Sequence, residues 1–284
     1  MTKFVKSKKG LLIVLIALVS ATSFLVWAAV INGTSGDDDI TGTESNDTIK
    51  GFAGDDVLRG KGGNDFIDGG LHDDMIAGGD GNDQVAGGDG DDIICGGEDD
   101  TGGGFGCDLQ TMDLGNDVLN GGKGHDMIFG GGGHDRIIGG SGHDTLVGGF
   151  GNDYIDGGTG NDTIDESADC DDEGVNGGSN TLIGGQGNDV ITGGCGRDII
   201  EPGQGLDQVD ASPENDMIII RPGDVPSFQT EVITCGEGDN DTVLFYGFPR
   251  GIQMPGDKNQ PVTITDPWTR GTYLLIDCEV IARR

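Results

Sequence analysis

Residues 33–95 read GTSGDDDIT GTESNDTIK GFAGDDVLR GKGGNDFID GGLHDDMIA GGDGNDQVA GGDGDDIIC, a nine-residue unit that recurs without a break. The unit returns over 121–165, as GGKGHDMIF GGGGHDRII GGSGHDTLV GGFGNDYID GGTGNDTID, and over 184–210, as GGQGNDVIT GGCGRDIIE PGQGLDQVD. A period this strict is typical of a stacked structure in which each unit packs on its neighbours. The sequence therefore predicts a repeat architecture.

The residue types at the nine positions predict how each unit is built. Positions one, two and four favour Gly, which permits a positive φ and lets neighbouring backbone and an ion approach closely. Position eight is a large aliphatic residue, beginning with Ile40, Ile49 and Leu58. In a short strand, alternation directs that side chain inward and its neighbours outward. The pattern predicts six residues of turn followed by three of strand.

Position six is Asp in every copy quoted above. A carboxylate beside turn carbonyl groups is the oxygen-rich environment that Ca2+ prefers over softer metals. Charge that only kept a surface soluble would not be fixed in phase. We therefore predict that these side chains, with Asp117 where the frame resumes at LGNDVLN, are metal ligands. The predicted ligands are Asp38, Asp47, Asp56, Asp65, Asp74, Asp83, Asp92, Asp117, Asp126, Asp135, Asp144, Asp153, Asp162, Asp189, Asp198 and Asp207.

The repeats resemble the RTX, or hemolysin-type, calcium-binding nonapeptide family, whose pattern is GGxGxDxUx with U a large aliphatic residue. The resemblance covers roughly two thirds of the chain. It implies an all-β fold, a parallel β-roll or β-helix in which two repeats complete one coil. It also implies multiple Ca2+ ions as cofactors, each bound between turns two repeats apart.

Position five holds mainly Asp, Asn or His, such as Asp37 and Asn46. Apart from Gly, these residues best tolerate the left-handed region, so a left-handed backbone is predicted there. His125, His134 and His143 also stand at this position. Two interpretations of these histidines stay open: a turn role set by backbone geometry, or a transition-metal or pH-sensing role.

The composition indicates that folding depends on the ion. Gly makes up 58 of 284 residues, aromatic residues are 5%, and the net charge is −34, which is typical of a chain that buries too little apolar surface to fold alone. Stacking aligns the aspartates at about 4.8 Å, so bare carboxylates repel one another. We predict folding coupled to Ca2+, and the charge disfavours nucleic acid as a partner.

The chain starts with MTKFVKSKKG, a basic segment, and continues with the apolar stretch LLIVLIALVSATSFLVWAAVI. Residues 1–31 are thus predicted to form an apolar helix that exports the repeats to the outside. Three fates stay open: a signal peptide cleaved near Ala28 or Ala29, an uncleaved membrane anchor, and a prepilin-like segment processed at Lys8-Lys9-Gly10. The product is then secreted or tethered to the outer face of the membrane, and only the anchor would contact the membrane.

Six cysteines agree with an oxidising compartment. Local position favours pairing each cysteine with one that would close an insertion or the C-terminal segment, and free buried thiols are the alternative. The favoured pairs are Cys95–Cys107, Cys170–Cys195 and Cys235–Cys278.

The repeat frame decays after Asp210, and from about Ile220 the chain gains Pro, aromatic and β-branched residues. We predict a calcium-binding β-roll over 32–219, with insertions near 98–113 and 166–176. Residues 220–284 are predicted to form a small β-rich cap, because a repeat stack needs a closing end. The segments CGEGDNDTV and DCEV resemble the ending of many RTX-repeat proteins, which also favours the last of the three disulfides.

Positions seven and nine point outward, and alternate repeats line one face. If the first insertion preserves the count, one face carries Val57, Met75, Met127 and Phe129 and is more apolar than the other. Such a face is either covered by the insertions or the cap, or it contacts a partner or a second copy.

The chain contains no HExxH and no GxSxG motif, and Ca2+ explains its many carboxylate pairs, so no enzyme is predicted. The leading hypothesis is an extracellular, non-catalytic calcium-binding protein that acts as a structural, matrix or adhesion module. The alternatives are a self-assembling surface filament or layer component and, less favoured, a remnant module of a secreted hydrolase.

Overall fold

A computed structural model describes residues 12–15, 28–97, 107, 115–166, 178–221, 224, 230–235, 241–245, 262–265, 272–276, 278 and 280–283. These residues form strands joined by short turns, and the chain divides into two compact units, 1–139 and 140–284. The strands are almost all parallel and lie in two sheets within each unit, which confirms the all-β prediction.

In unit 1, successive strands alternate between two sheets. The strands are β1 (Leu12–Leu15), β2 (Ala29–Asn32), β3 (Asp39–Thr41), β4 (Thr48–Ala53), β5 (Val57–Gly62), β6 (Phe66–Leu71), β7 (Met75–Asp80), β8 (Gln84–Asp89), β9 (Ile93–Cys95), β10 (Val118–Lys123), β11 (Met127–Gly133) and β12 (Arg136–Ser141), in which the unit boundary falls. The first sheet pairs β1, β2, β4, β6, β8 and β10, and the second pairs β3, β5, β7, β9 and β11. Among the strands described in unit 1, only β1 pairs antiparallel, with β2.

Unit 2 follows the same rule. Its strands are β13 (Thr145–Gly151), β14 (Tyr154–Thr159), β15 (Thr163–Asp165), β16 (Thr181–Gln186), β17 (Val190–Thr192), β18 (Ile199–Gln204), β19 (Gln208–Asp210), β20 (Met217–Ile220), β21 (Thr230–Thr234), β22 (Thr242–Phe245), β23 (Val262–Thr265), β24 (Thr272–Ile276) and β25 (Val280–Arg283). One sheet runs β14, β16, β18, β20, β22, β25, and the other runs β13, β15, β17, β19, β21, β24, β23, with β23 antiparallel to β24.

The register shows that two nonapeptides make one coil. Ile49 pairs with Ile67, which pairs in turn with Val85, so neighbours within a sheet are two repeats apart. Beyond the first insertion, Val118 pairs with Gln84. The insertion therefore lies inside a single repeat and leaves the alternation of the two sheets intact.

The core of each unit is a stack of position-eight side chains, as predicted. They are at most 2% exposed, because each one lies between the two sheets and against its neighbours in the next coils. They are Ile40, Ile49, Leu58, Ile67, Ile76, Val85, Ile94, Leu119, Ile128 and Ile137 in unit 1, and Leu146, Ile155, Ile164, Leu182, Ile191, Ile200, Val209 and Ile218 in unit 2.

Many strands are longer than the predicted three residues. Strand β6 covers positions seven to nine of one repeat and positions one to three of the next. The ladder continues there because Gly70, with a φ of 120°, pairs with Phe52, with a φ of 80°. A left-handed residue at position two thus bends the chain without ending the sheet, and the turn shrinks to about three residues.

The prediction of a left-handed backbone at position five is wrong. The described non-glycine residues with positive φ are Phe52, Lys61, His72, Ser212 and Glu214, which stand at positions two and four. The glycines with positive φ occupy the same two positions.

Side-chain hydrogen bonding explains the choice of residue at position five instead. Asn64 donates its backbone N–H to Asn46 Oδ1 at 2.9 Å, one coil away. His143 acts in the same way, since its Nδ1 accepts the N–H of Asn161 at 2.6 Å. Short side chains with an acceptor therefore link the outer turns of successive coils, which gives His143 a structural role in its turn without a left-handed backbone.

The predicted N-terminal helix is not found where the structure describes the apolar segment. Leu12–Leu15 form a strand whose residues pair with Ala29–Asn32. The first sheet otherwise begins with an unpaired edge, and the β-branched Ile13 and Val14 suit a strand that covers it. The other residues of the predicted helix before Ala28 lie outside the described part of the chain. No helix able to span a membrane occurs among the described residues.

Two of the predicted disulfides are confirmed. Cys95 and Cys107 are joined across a Cα–Cα distance of 5.5 Å, and Cys235 and Cys278 across 5.0 Å. Cys195 is also disulfide-bonded, and Cys170, its predicted partner, lies outside the described residues. Free thiols are absent from the described cysteines.

The apolar face predicted in unit 1 is only partly covered. Met75 and Met127 are 39% and 41% exposed, whereas Ala77 is buried and Phe129 is half-buried. The two methionines stand in the same sheet two coils apart, with the half-buried Ile93 between them, so they leave a small apolar surface.

Candidate metal centre

The predicted ligands lie in two buried rows within each unit. Every one of them is at most 7% exposed. In unit 1 the rows are Asp38, Asp56, Asp74, Asp92, Asp126 and Asp47, Asp65, Asp83, Asp117, Asp135; in unit 2 they are Asp144, Asp162, Asp189, Asp207 and Asp153, Asn180, Asp198, Asp216, Asp241.

Each step of a row is held by backbone hydrogen bonds. The N–H of Asp56 donates to Asp74 Oδ1 at 2.9 Å, and the N–H of Asp74 donates to Asp92 Oδ1 at 2.8 Å. The carbonyl of Asp56 accepts the N–H of Met75 at 2.9 Å. Because both backbone groups of each Asp are bonded to the next coil, the carboxylates are fixed in register.

In eight of these aspartates, the other carboxylate oxygen has no such partner. Oδ2 is buried and accepts no hydrogen bond in Asp56, Asp65, Asp74, Asp92, Asp162, Asp189, Asp207 and Asp216, all within the described residues. Burying a charged oxygen without a donor is costly, and a bound cation would remove that cost.

Glycine at position one brings this free oxygen close to a main-chain carbonyl. A Cβ on Gly51 would lie 2.6 Å from the carbonyl oxygen of Gly69 in the next coil, and it would also collide with Asp56 Oδ2. Asp56 Oδ2 and the carbonyl oxygen of Gly69 therefore approach the same point. No group of three His, Cys, Asp or Glu side chains that could hold a metal occurs in the described ranges, so carbonyl oxygens would have to complete each site. Ca2+ takes about six to eight such oxygen ligands, and the residues present fit it.

Burial raises the pKa of several row carboxyls above the usual value of 3.8. The pKa of Asp65 is raised to about 6, that of Asp74 to about 7 and that of Asp216 to about 8. Desolvation is the largest cause, and the charge of neighbouring carboxylates, such as Asp56 beside Asp74, adds to it. Hydrogen bonds from the backbone oppose the rise.

These raised pKa values predict a pH dependence of the calcium-free protein. A carboxyl whose pKa is higher in the folded state stabilises that state below about pH 4, and the stabilisation is lost as the pH rises through about 6 to 8. In chelator, we expect the β-sheet circular dichroism signal to increase when the pH is lowered from 8 to 5.5. Calcium affinity should fall over the same range, because protons compete for Oδ2. A chelated protein with the same signal at both pH values would contradict this account.

Three members of the rows were not among the ligands predicted from the sequence. Asp216 keeps its phase in ASPENDMII, two residues before the buried Ile218, and Asp241 does so in DNDTV, before the buried Val243. The inward aliphatic residue two positions later was the signal for both. Asn180 was hidden by the second insertion and by the absence of an Asp.

A family model described as RTX calcium-binding nonapeptide repeat (4 copies) matches residues 32–67, 68–101, 113–146, 138–165 and 175–209. These ranges cover more than half of the chain and include every predicted ligand as well as Asn180. Among the curated proteins, no match was found.

Proposed function

Because the chain belongs to the RTX calcium-binding nonapeptide repeat family, we propose that it is an extracellular, non-catalytic protein whose repeats fold around Ca2+. The observation that carries this proposal is the buried Oδ2 atom without a hydrogen bond, which recurs along the rows. The position-six aspartates and the position-one carbonyl oxygens would hold the ions. When bound, Ca2+ neutralises the negative charge of the buried carboxylates.

The proposed organisation keeps a calcium-binding roll over 32–219, interrupted near 98–113 and 166–176, and a closing segment over 220–284. Within unit 2, Phe245 on β22 and Tyr273 on β24 are fully buried and meet edge to face, with ring centroids 5.7 Å apart. An aromatic pair between the two sheets suits a closing role, since two large rings fill the core beside the last strands, β25 and β23.

The proposed location is outside the cell. Disulfides such as Cys235–Cys278 indicate an oxidising environment. Residues 1–31 would serve as the export segment, either cleaved or retained as an anchor.

A calcium-filled roll would act as a rigid structural or adhesion module. A second candidate is self-assembly into a surface layer, which the exposed Met75 and Met127 favour because they share one sheet face. Sedimentation of the full chain with and without Ca2+ distinguishes the two, since only the second predicts association.

Calorimetric titration of the full chain tests calcium binding. We expect uptake of several Ca2+ ions at about 0.1 to 1 mM and little heat with Mg2+, which needs a smaller and more regular site. In Asp74→Asn, the amide oxygen still accepts the Asp56 N–H, but the charge is gone, so about one ion fewer should bind. Absence of uptake by the unaltered protein at millimolar Ca2+ would refute the proposal.

A further inference from the structure

One repeat in unit 2 departs from the pattern at two positions. Glu166 stands at position one, because its N–H donates to the carbonyl of Thr192 at 3.1 Å, as Gly193 donates to Asp210 at 2.9 Å. Asn180 stands at position six of the same repeat, and the second insertion separates the two residues. The carboxylate of this repeat has therefore moved from position six to position one.

The side chain of Glu166 is directed into the preceding coil and is fully buried. Its Oε1 accepts the N–H of Gly148 at 2.5 Å, and its Oε2 accepts that of Gly149 at 3.4 Å. A Cβ on Gly148 would lie 2.6 Å from Asp153 Oδ2 and 2.8 Å from Glu166 Oε2. Two carboxylates thus converge on this point.

The neighbouring repeat shows what is unusual about this arrangement. A Cβ on Gly157 would lie 2.7 Å from Asp162 Oδ2 and 2.5 Å from the carbonyl oxygen of Gly184. There, one carboxylate faces a neutral main-chain oxygen. Glu166 has put a second carboxylate in place of that neutral oxygen.

Asn180 shows the other half of the exchange. Its Oδ1 keeps the row intact by accepting the N–H of Asp153 at 2.9 Å, while its Nδ2 is buried and has no hydrogen-bond partner. In the other repeats, the matching atom is an Asp Oδ2 beside position one of its own repeat, as Asp162 Oδ2 lies beside Gly157. The Asn180 amide is uncharged, so it places no negative charge beside position one of its own repeat. The negative charge is instead concentrated between Asp153 and Glu166.

We propose that Asp153 and Glu166 form a divalent-cation site that differs from the repeat sites and binds Ca2+ more tightly than they do. The inference rests on the proposed function. Calcium affinity increases with ligand charge and with rigidity of the site. Here one ion meets two buried carboxylates, and two backbone N–H groups fix the added one. Gly194 packs closely against Glu166, since a Cβ added at Gly194 would lie 3.1 Å from the Glu166 Cβ. This close packing restricts the Glu166 side chain and adds to the rigidity of the site.

Glu166→Gln in the full chain tests the site, since the amide oxygen still accepts the Gly148 N–H while the charge is removed. Ions are counted by native mass spectrometry at limiting Ca2+, and affinities are measured by competition with chelators of graded strength. We expect the unaltered protein to keep one ion after the others have left, and Glu166→Gln to weaken that ion about tenfold. Asp189→Asn, at a position of the other row, should lower the total count and leave the last ion in place.

The double variant Glu166→Gly with Asn180→Asp restores the ordinary repeat. It tests the same site if Glu166→Gln does not fold. Circular dichroism in saturating Ca2+ checks its fold. It should bind a full set of ions without the tight one. Retention of the tight ion by either variant would overturn the proposal and leave Glu166 a purely structural role. Absence of Ca2+ uptake by the unaltered protein would instead overturn the proposed function.

Discussion

Removal of Ca2+ by excess chelator is expected to abolish most of the β-sheet circular dichroism signal, and renewed Ca2+ should restore it. The chain carries a net charge of −34, and its rows bring buried aspartates into successive coils about 4.8 Å apart. Without a cation, the folded state must either protonate these groups or hold repelling charges away from water. The unfolded chain avoids both costs.

The size of the effect follows from mass action. An ion present at ten times its dissociation constant stabilises the folded state by about 1.4 kcal/mol. For about ten sites this amounts to about 14 kcal/mol, which is comparable to the stability of a whole domain. The matched control adds chelator already saturated with Ca2+, which should change nothing. An unchanged signal in excess free chelator would show that folding does not depend on the ion.

The sequence was sufficient to predict the features that recur with the period. Ile49 and Ile67 share a position, and the inward direction of one implies that of the other. The aspartate rows follow from the same reasoning, since a stack of identical coils aligns identical positions. Periodicity could not reveal which backbone angle each position adopts. Tolerance of positive φ does not explain Asn46 and its equivalents; the side chain of Asn46 instead accepts a hydrogen bond from the backbone N–H of Asn64 in the next coil.

The second insertion shows where reasoning from the repeat pattern ends. Glu166 and Asn180 belong to one repeat, but the residues between them conceal this in the sequence. Their relation depends on the contacts of Glu166 with Gly148 and on those of Asn180 with Asp153. Such contacts are irregular, so they cannot be extrapolated from neighbouring repeats.

Substitution of Gly69 by Ala is expected to destabilise the calcium-bound protein by about 3 kcal/mol. A Cβ at this position-one glycine would lie 2.7 Å from the carbonyl oxygen of Gly87 and would collide with Asp74 Oδ2. The carbonyl belongs to the next coil, so relief requires two coils to separate. Overpacking of this kind costs about 1 to 3 kcal/mol, and loss of one ion adds about 1.4 kcal/mol. Urea unfolding in saturating Ca2+ measures the change.

Gly36→Ala is the matched control, because Gly36 is exposed and a Cβ there would have no atom within 4 Å. Its effect should stay within about 0.5 kcal/mol. Equal urea midpoints for the two variants would show that close approach at position one is unimportant. Repeating the measurement in tenfold more Ca2+ separates the two causes, since a weakened site is rescued by more ion and a steric clash is not. Phe52 already shows that position two accepts a large side chain at a φ of 80°. Position four is a second place that demands glycine, since Gly81 has a φ of 128° and a Cβ there would collide with the carbonyl oxygen of Gly63 in the preceding coil.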